Sequence, residues 1–219
     1  VINGNTRNGE EAVAAIMKYL ETYKNPDGGT YYRQAGHGIF TAAEVYDWCY
    51  DLLDSDEKRE IVARCQMVGM LYMSIGFPPE RLSALVSHGS ETQLLRDWMS
   101  LAIVSYDEYP SIYNYVAARY YVEYVPARNF FYQSGGHYQG NYYGPFRFTW
   151  DLWAQTMLAN MSKTDNVDMI YTPETQQALY QWLYARRPDG ELLREGDDGT
   201  ERYPLASQWY KYTNYPFFL

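Results

Sequence analysis

The sequence predicts an all-α protein built of antiparallel helical hairpins. Apolar residues recur at the three- and four-residue spacing that is typical of amphipathic helices. No segment of useful length alternates apolar and polar residues in the way a half-buried strand does. Short and long loops alternate between the predicted helices. This alternation favours an up-and-down arrangement, in which alternate loops lie at the same end.

Capping boxes and a proline mark where several of these helices begin. Thr41 with Glu44 and Ser90 with Gln93 have the capping-box pattern, in which side chains three residues apart bind the first backbone N–H groups. Pro145 fixes φ at a value suited to the first helical position and predicts another start. In chain order, helices are predicted over residues 10–22, 41–53, 56–74, 91–107, 111–124, 146–161 and 173–186, with a further start near residue 205.

The long predicted loops carry many of the polar side chains that suit a binding site. These loops follow the first, third, fifth and seventh helices, whereas the loops after the second and fourth helices are short. An up-and-down array therefore places the long loops at one end. The 3 histidines of the sequence, His37, His88 and His137, all fall in them. This end of the array is therefore the predicted functional end.

Length, charge and cysteine content limit the class of protein. With 219 residues, the chain is predicted to form a single domain over residues 1–219. The net charge of −9 disfavours nucleic-acid binding, which needs a basic surface. No apolar run is long enough to span a bilayer, so no membrane partner is expected. Cys49 and Cys65 are expected to be buried free thiols rather than a disulfide.

The sequence is rich in aromatic residues, with 25 Tyr, 8 Phe and 6 Trp. Tyr and Trp rings combine an apolar face with a polar edge, which suits packing against sugars in a wet groove. Packing in the protein core is the alternative role, and many of these rings must have it.

Residues 134–150, here called the glycine–tyrosine segment, are the richest candidate site. Its glycines let the backbone bend sharply, and it is interpreted as a binding loop that leads into a helix. Its glycine spacing does not fit the phosphate-binding motifs. The histidines of the chain lack the spacing of metal ligands, and no cofactor is expected. The candidate binding residues of the segment are His137, Gln139, Asn141, Tyr142, Tyr143 and Arg147.

A second candidate site is the sequence Ser87-His88-Gly89-Ser90-Glu91. His88 precedes a predicted helix N-terminus, whose partial positive charge favours the neutral imidazole. Neutral imidazole accepts a proton, as a general base must. Glu91, in the first turn of the same helix, can reach the same ligand, although a simple helix cap is the alternative. The acidic residues 195–201 form a third candidate, either a paired-carboxylate site, a calcium loop or a solvated turn.

Two motifs together resemble the heparinase II/III-type polysaccharide lyases, and within them the heparinase II branch. They are Ser87-His88-Gly89-Ser90-Glu91-x-Gln93-Leu94-Leu95-Arg96-Asp97 and Gly136-His137-Tyr138-Gln139-Gly140-Asn141-Tyr142-Tyr143-Gly144. The resemblance implies a partial (α/α) toroid of antiparallel helical hairpins, beside a following β-rich domain of the same polypeptide. It implies periplasmic or secreted localisation. The chain starts at Val1 without an initiator methionine and is expected to be an excerpt of this larger lyase.

The resemblance also implies β-elimination on a uronate-containing glycosaminoglycan similar to heparin or heparan sulfate. Tyr143 is then the catalytic tyrosine, which supplies the acid and, as phenolate, the base. His88 is the catalytic histidine, a base for the opposite uronate epimer, and Glu91 is the group that offsets the uronate carboxylate. Arg96 and Arg147 are expected to line the groove, where their local charge opposes the negative net charge. Two alternatives stay open: a toroid glycoside hydrolase that pairs Glu91 with an acidic residue near 197, and a non-catalytic carbohydrate-binding helical domain.

Overall fold

The structure is a computed structural model, and it describes residues 4–24, 31–73, 90–137, 139–162, 170–189 and 193. Helices make up 81% of it, and no strand occurs among these residues. The all-α prediction is therefore confirmed. By contacts the chain divides into two compact units, Val1–Tyr120 and Tyr121–Leu219, which are described separately below. The single domain over residues 1–219 stays a prediction.

The helices of the first unit pack around α2, which lies against α1, α3 and α5. The core of this unit contains Ile39, Ile61 and Trp98, all with no exposed surface. Burial of one such side chain stabilises the fold by about 1.5–3 kcal/mol. In chain order the elements are α1 (Thr6–Thr22), α2 (Tyr31–Trp48), a 3₁₀ turn (Tyr50–Leu52), α3 (Ser55–Tyr72), α4 (Ser90–Thr92), a π-helical stretch (Gln93–Trp98), α5 (Met99–Val104) and α6 (Pro110–Ala118).

The second helix begins ten residues before its predicted start, at Tyr31. The predicted loop over residues 24–40 is therefore wrong in its second half, since those residues belong to α2. Thr41 and Glu44 lie inside this helix and are not its capping box. His37 lies on an exposed position of α2, so the prediction that all the histidines occupy loops is also wrong.

Close packing explains why a glycine-containing sequence forms α2. A Cβ atom at residue 36 would lie 1.9 Å from Asp97 Oδ2. Glycine costs a helix interior about 1 kcal/mol relative to alanine. Close packing offsets that cost here. A residue with a Cβ atom at position 36 would collide with Asp97 of the π-helical stretch, whereas glycine lets α2 approach it. The requirement comes from tertiary contact, which local sequence patterns do not contain.

The third helix begins with a capping box that the sequence analysis did not identify. Asp54 caps α3, and its carboxylate accepts hydrogen bonds from the backbone N–H groups of Asp56 and Glu57, both at 2.8 Å. The Glu57 carboxylate in turn accepts from the Asp54 backbone at 3.1 Å, which completes a capping box. The start of α4 at Ser90 borders residues that the structure does not describe, so the predicted Ser90–Gln93 box stays a prediction.

The second unit contains one long helix that begins earlier than predicted. A second π-helical stretch, Arg119–Tyr124, follows α6, and most of it belongs to this unit. The other elements of the unit are α7 (Val125–Tyr132), α8 (Gly140–Ser162), a 3₁₀ turn (Pro173–Gln177) and α9 (Ala178–Tyr184). Gly140 has a φ of +63°, a left-handed value that suits glycine and lets the chain turn into α8. Pro145 lies inside the helix, so its predicted role as the first helical residue is wrong. Residues 140–145 of the glycine–tyrosine segment, interpreted as loop, are thus helix.

Two smaller expectations concern cysteine and the membrane. Cys49 and Cys65 are both free and buried, as predicted. Burial raises the pKa of the Cys65 thiol well above its ordinary value. None of the described helices is long and apolar enough to cross a bilayer.

Candidate functional site

The predicted site residues divide between the two units. Glu91 and Arg96 belong to the first unit. The second unit contains His137, Gln139, Asn141, Tyr142, Tyr143 and Arg147. His88 and the acidic residues 195–201 lie outside the described residues, as does the side chain of Tyr142.

In the first unit, the candidate residues lie on a buried helical segment. Glu91 in α4 has no exposed surface. The π-helical stretch that follows is buried at every position, whereas a surface helix keeps one face exposed. π-Helical segments are rare and frequently occur at functional sites. The structure therefore places Glu91 in an unusual backbone environment that its sequence did not reveal.

Arg96 is held within this π-helical stretch by a neighbouring carboxylate and a ring. Its Nε donates a hydrogen bond to Asp97 Oδ1 at 2.7 Å, and its guanidinium carbon lies 5.1 Å from the centre of the Phe40 ring. Burial, followed by the charge of Arg96, lowers the pKa of His37. Burial raises the pKa of Glu44, against the opposing effect of Arg96. Arg96 therefore lies close to the polar residues of α2.

Asp97 is the more deeply buried partner in this ion pair. Its side chain is buried, and this burial raises its pKa to about 6 even though the Arg96 guanidinium acts in the opposite direction. A carboxyl that is partly protonated near neutral pH can both donate and accept a hydrogen bond. Sequence reasoning assigned Arg96 to the site but overlooked Asp97.

The second unit contains a buried ionic network centred on Asp151 of α8. Arg128 and Asp151 are both completely buried, and Arg128 Nε lies 3.1 Å from Asp151 Oδ2. The hydroxyls of Tyr124 and Tyr132 each donate a hydrogen bond to the Asp151 carboxylate. Arg128 Nε also donates to the Tyr124 hydroxyl at 2.8 Å. Charge-assisted hydrogen bonds of this kind are stronger than neutral ones, so the network fixes α8 against the helix before it.

Sequence reasoning missed this network, although one signal for it was present. Tyr124, Arg128 and Tyr132 recur at intervals of four, which places them on one face of a helix. An arginine between two tyrosines on a core-facing stripe predicts a buried partner of opposite charge. Asp151 lies too far along the chain for the pattern itself to identify it.

His137 lies beside this network, buried between aromatic rings. Its ring centre is 6.5 Å from that of Tyr132 and 6.2 Å from that of Trp182. Burial, and then the positive charges of Arg128 and Arg147, lower its pKa well below the ordinary value. His137 is therefore neutral at pH 7.

The hydrogen bonds of residues 137–139 define the tautomer of this neutral ring. The backbone N–H of Gln139 donates to His137 Nδ1 at 3.3 Å. Since Nδ1 accepts a hydrogen bond, the proton resides on Nε2. The backbone N–H of His137 donates to the side chain of Gln181, which anchors this turn to α9. Nε2 is thus the donor nitrogen of this buried ring, and the binding role of His137 stays a prediction.

Tyr143 and Arg147 lie one turn apart on α8. The Arg147 guanidinium carbon lies 5.7 Å from the centre of the Tyr143 ring, within the range of a cation–π contact. Arg147 is buried, whereas Tyr143 is half-buried and reaches solvent. The spacing of four continues to Asp151, so these three side chains share one face of α8. The face carries a phenol, a cation and a carboxylate in sequence.

Asn141 and Gln139 complete the candidate residues at the start of α8. Asn141 is buried and its Nδ2 donates to the backbone carbonyl of Leu193 at 2.7 Å. Gln139 is half-buried. The structure therefore brings His137, Arg147 and Tyr143 together in the second unit, with Asn141 tied to a neighbouring segment.

Metal chemistry has no support among the residues that the structure describes, where no group of three His, Cys, Asp or Glu side chains is arranged to hold an ion. Comparison of the chain with protein-family models and with curated proteins finds no match. The functional assignment therefore depends on the residues and on their geometry.

The two units are expected to respond to acid in opposite directions. Because the folded-state pKa of Asp97 is raised to about 6, its contribution to stability is full below about pH 4 and is lost as the pH rises through 6. The contribution of Asp97 to the free energy of unfolding that is lost in this way is on the order of 3 kcal/mol. The pKa of His137 is lowered instead, so its contribution is full above about pH 6.5 and is lost as the pH falls.

Hydrogen exchange followed by mass spectrometry measures the pH dependence of stability in each unit separately. The rates are measured at several pH values and corrected for intrinsic exchange. Asp97→Asn should remove the acid stabilisation of the first unit, and His137→Gln should weaken the acid destabilisation of the second. The same pH profile in wild type and Asp97→Asn would show that this carboxyl is not responsible.

Proposed function

We propose that this chain is the helical-toroid part of a polysaccharide lyase that cleaves uronate-containing glycosaminoglycans by β-elimination. The observation that supports this function best is the pair formed by Tyr143 and Arg147 on α8. Tyr143 is half-buried and carries a phenolic proton that it can donate, and the guanidinium carbon of the buried Arg147 lies 5.7 Å from the centre of its ring. A proton donor beside a cation suits a reaction in which an acid protonates the leaving group of an anionic sugar.

The proposed reaction removes the C5 proton of a uronate and breaks the bond between C4 and O4. The electron pair of the C5–H bond forms the C4–C5 double bond, and the departing O4 takes a proton. When the C5 proton lies on the opposite face of the sugar, His88 accepts it and Tyr143 supplies the proton that O4 takes. When it lies on the Tyr143 face, Tyr143 accepts it as the phenolate and passes it to O4. Glu91 shares a proton with the uronate carboxylate in the proposed complex, which makes the C5 proton more acidic.

The remaining candidate residues bind the substrate in this proposal. Arg96 and Arg147 attract its acidic groups, and the neutral His137 donates a hydrogen bond. Gln139, Asn141 and Tyr142 supply further polar contacts. The substrate is of the heparin or heparan sulfate class, and a following β-rich domain of the same polypeptide completes the site. Such a protein acts in the periplasm or outside the cell.

The proposed architecture is a partial (α/α) toroid of antiparallel hairpins. It is supported by the packing of consecutive helices in the first unit, where α1 lies against α2, α2 against α3 and α5 against α6. Neighbouring helices joined by short connections pack in this way when they run up and down.

The product of the reaction tests this function directly. We expect the full-length protein that carries this chain to release an unsaturated uronate from heparan sulfate, with one ultraviolet-absorbing double bond for each new reducing end. A panel of heparin, heparan sulfate and an unsulfated uronan identifies the preferred sulfation. Reducing ends without ultraviolet absorbance would show hydrolysis, and binding without either product would show a non-catalytic domain. Both results would contradict the lyase proposal.

A further inference from the structure

The exposed face of α9 carries two tyrosines whose rings are nearly parallel. The ring planes of Tyr180 and Tyr184 meet at 26°, and their centres lie 6.3 Å apart. The two residues are 56% and 80% exposed, and Leu183 beside them is also exposed. These two nearly parallel rings and Leu183 together form an apolar surface that solvent reaches. This surface, formed by Tyr180, Leu183 and Tyr184, is here called the α9 platform.

Packing on the other side of α9 holds the platform outwards. Trp182 has no exposed surface and lies on the opposite face of the helix, since it is two residues from each tyrosine. Its ring centre is 5.5 Å from that of Phe148, and its indole N–H donates to the Gly140 carbonyl at 3.3 Å. The buried tryptophan fixes the rotation of α9, so the tyrosines cannot turn inwards without losing this core contact.

Two other pairs of rings in the described part of the chain meet edge to face. Tyr19 and Tyr23 are inclined at 62°, and Phe130 and Phe131 at 77°. An edge-to-face pair presents a ring edge to solvent and leaves no common flat surface. The platform therefore differs in geometry from these pairs, although Phe130 is equally exposed at 70%.

Two arginines follow the platform closely in the sequence. Arg186 is exposed and comes two residues after Tyr184. Arg187 is half-exposed and pairs with Asp189 at 2.6 Å. Local positive charge of this kind is notable in a chain of net charge −9. Flat rings with adjacent cations are complementary to sugar rings that carry carboxylate or sulfate groups.

We propose that the α9 platform, together with Arg186, is a second polysaccharide-binding site that takes part in no chemical step. Its ligand is an acidic polysaccharide, whose sugar faces rest on Tyr180 and Tyr184 while an acidic group contacts Arg186. The choice of a uronate-containing polymer rests on the proposed function, whereas the sugar-binding geometry does not. A site of this kind holds a long substrate and leaves short oligosaccharides unaffected.

Affinity electrophoresis in gels that contain heparan sulfate tests the platform. The full-length protein with Tyr143→Phe serves as the background, so that substrate is not consumed. We expect Tyr180→Ala and Tyr184→Ala each to weaken binding about fivefold. Phe130→Ala is the matched control, because it removes an equally exposed ring that lacks the parallel partner. Arg186→Gln should weaken binding to heparan sulfate and leave binding to a neutral polysaccharide unchanged.

Three results would overturn this proposal. Unchanged binding in both tyrosine variants would show that the platform does not contact the polymer, and an equal loss in Phe130→Ala would show a general effect of exposed rings. A change in the sedimentation of the protein alone on Tyr184→Ala would show that a second copy occupies the surface. Because binding is measured without turnover, a missing unsaturated product would refute the lyase function and not the platform.

Discussion

Replacing Tyr143 by phenylalanine is expected to lower the lyase rate of the full-length protein by about 10²–10⁴-fold, the usual contribution of a general acid. The substitution keeps the ring and so keeps its contact with Arg147, 5.7 Å away. Only the hydroxyl that donates the proton is lost. Substrate binding should therefore change little, and the loss should fall on kcat rather than on KM. Initial rates of ultraviolet absorbance on heparan sulfate measure both constants.

Tyr121→Phe provides a matched control for this experiment. Tyr121 belongs to the same unit and is 44% exposed, and it carries no predicted role. The same chemical change there should leave both kinetic constants near their wild-type values. If Tyr143→Phe retained most of the lyase rate, Tyr143 would not be the acid, and the assignment of the glycine–tyrosine segment to catalysis would be wrong.

The helices that the sequence predicted well are those with regular apolar spacing. The helix predicted over residues 10–22 is observed as Thr6–Thr22, and the one over 56–74 as Ser55–Tyr72. In both, the apolar stripe is a property of the segment itself. The predicted starts of α2 and α8 are wrong, because the glycines near the start of each helix favour a loop in the sequence patterns. Gly36 is required by the approach of Asp97, and this contact joins residues that are far apart in sequence.

The π-helical stretches were beyond sequence reasoning for a different reason. α- and π-helices differ in which carbonyl each N–H group reaches, and the same residue types suit both. Every residue from Gln93 to Trp98 is buried, and this burial comes from packing against other elements, which the segment's own sequence does not contain. The Gln93–Trp98 stretch adjoins Glu91, so the surroundings of a predicted catalytic residue could not be derived from its motif.

Sequence reasoning named candidate residues but not the groups that support them, and the roles of these candidates stay predictions. The second motif contains His137 and Tyr143, and Arg147 follows it in the glycine–tyrosine segment; the structure places Arg147 5.7 Å from the centre of the Tyr143 ring. Neither motif includes Asp151 or Arg128, because these residues contact each other from separate helices. A short motif contains the groups that meet a ligand, whereas the groups that position them are spread along the chain.

Asp151→Asn is expected to destabilise the second unit by about 3–5 kcal/mol, the cost of breaking a buried ion pair by removing one partner. Arg128 and Asp151 are both completely buried, so the substitution leaves the guanidinium charge without its counter-charge. The Tyr124 and Tyr132 hydroxyls would also lose a charged acceptor. Denaturant unfolding, with hydrogen exchange to localise the effect, measures the free energy of unfolding.

Asp189→Asn is the matched control, since Asp189 also pairs with an arginine but is 48% exposed. A surface pair contributes about 0–1 kcal/mol, so this variant should unfold close to wild type. Combining Asp151→Asn with Arg128→Met should recover part of the lost stability, because the unpaired charge is then removed as well. If Asp151→Asn cost no more than Asp189→Asn, the buried charges would not hold α8 in place. The network beneath Tyr143 and Arg147 would then have no supporting role for the candidate site.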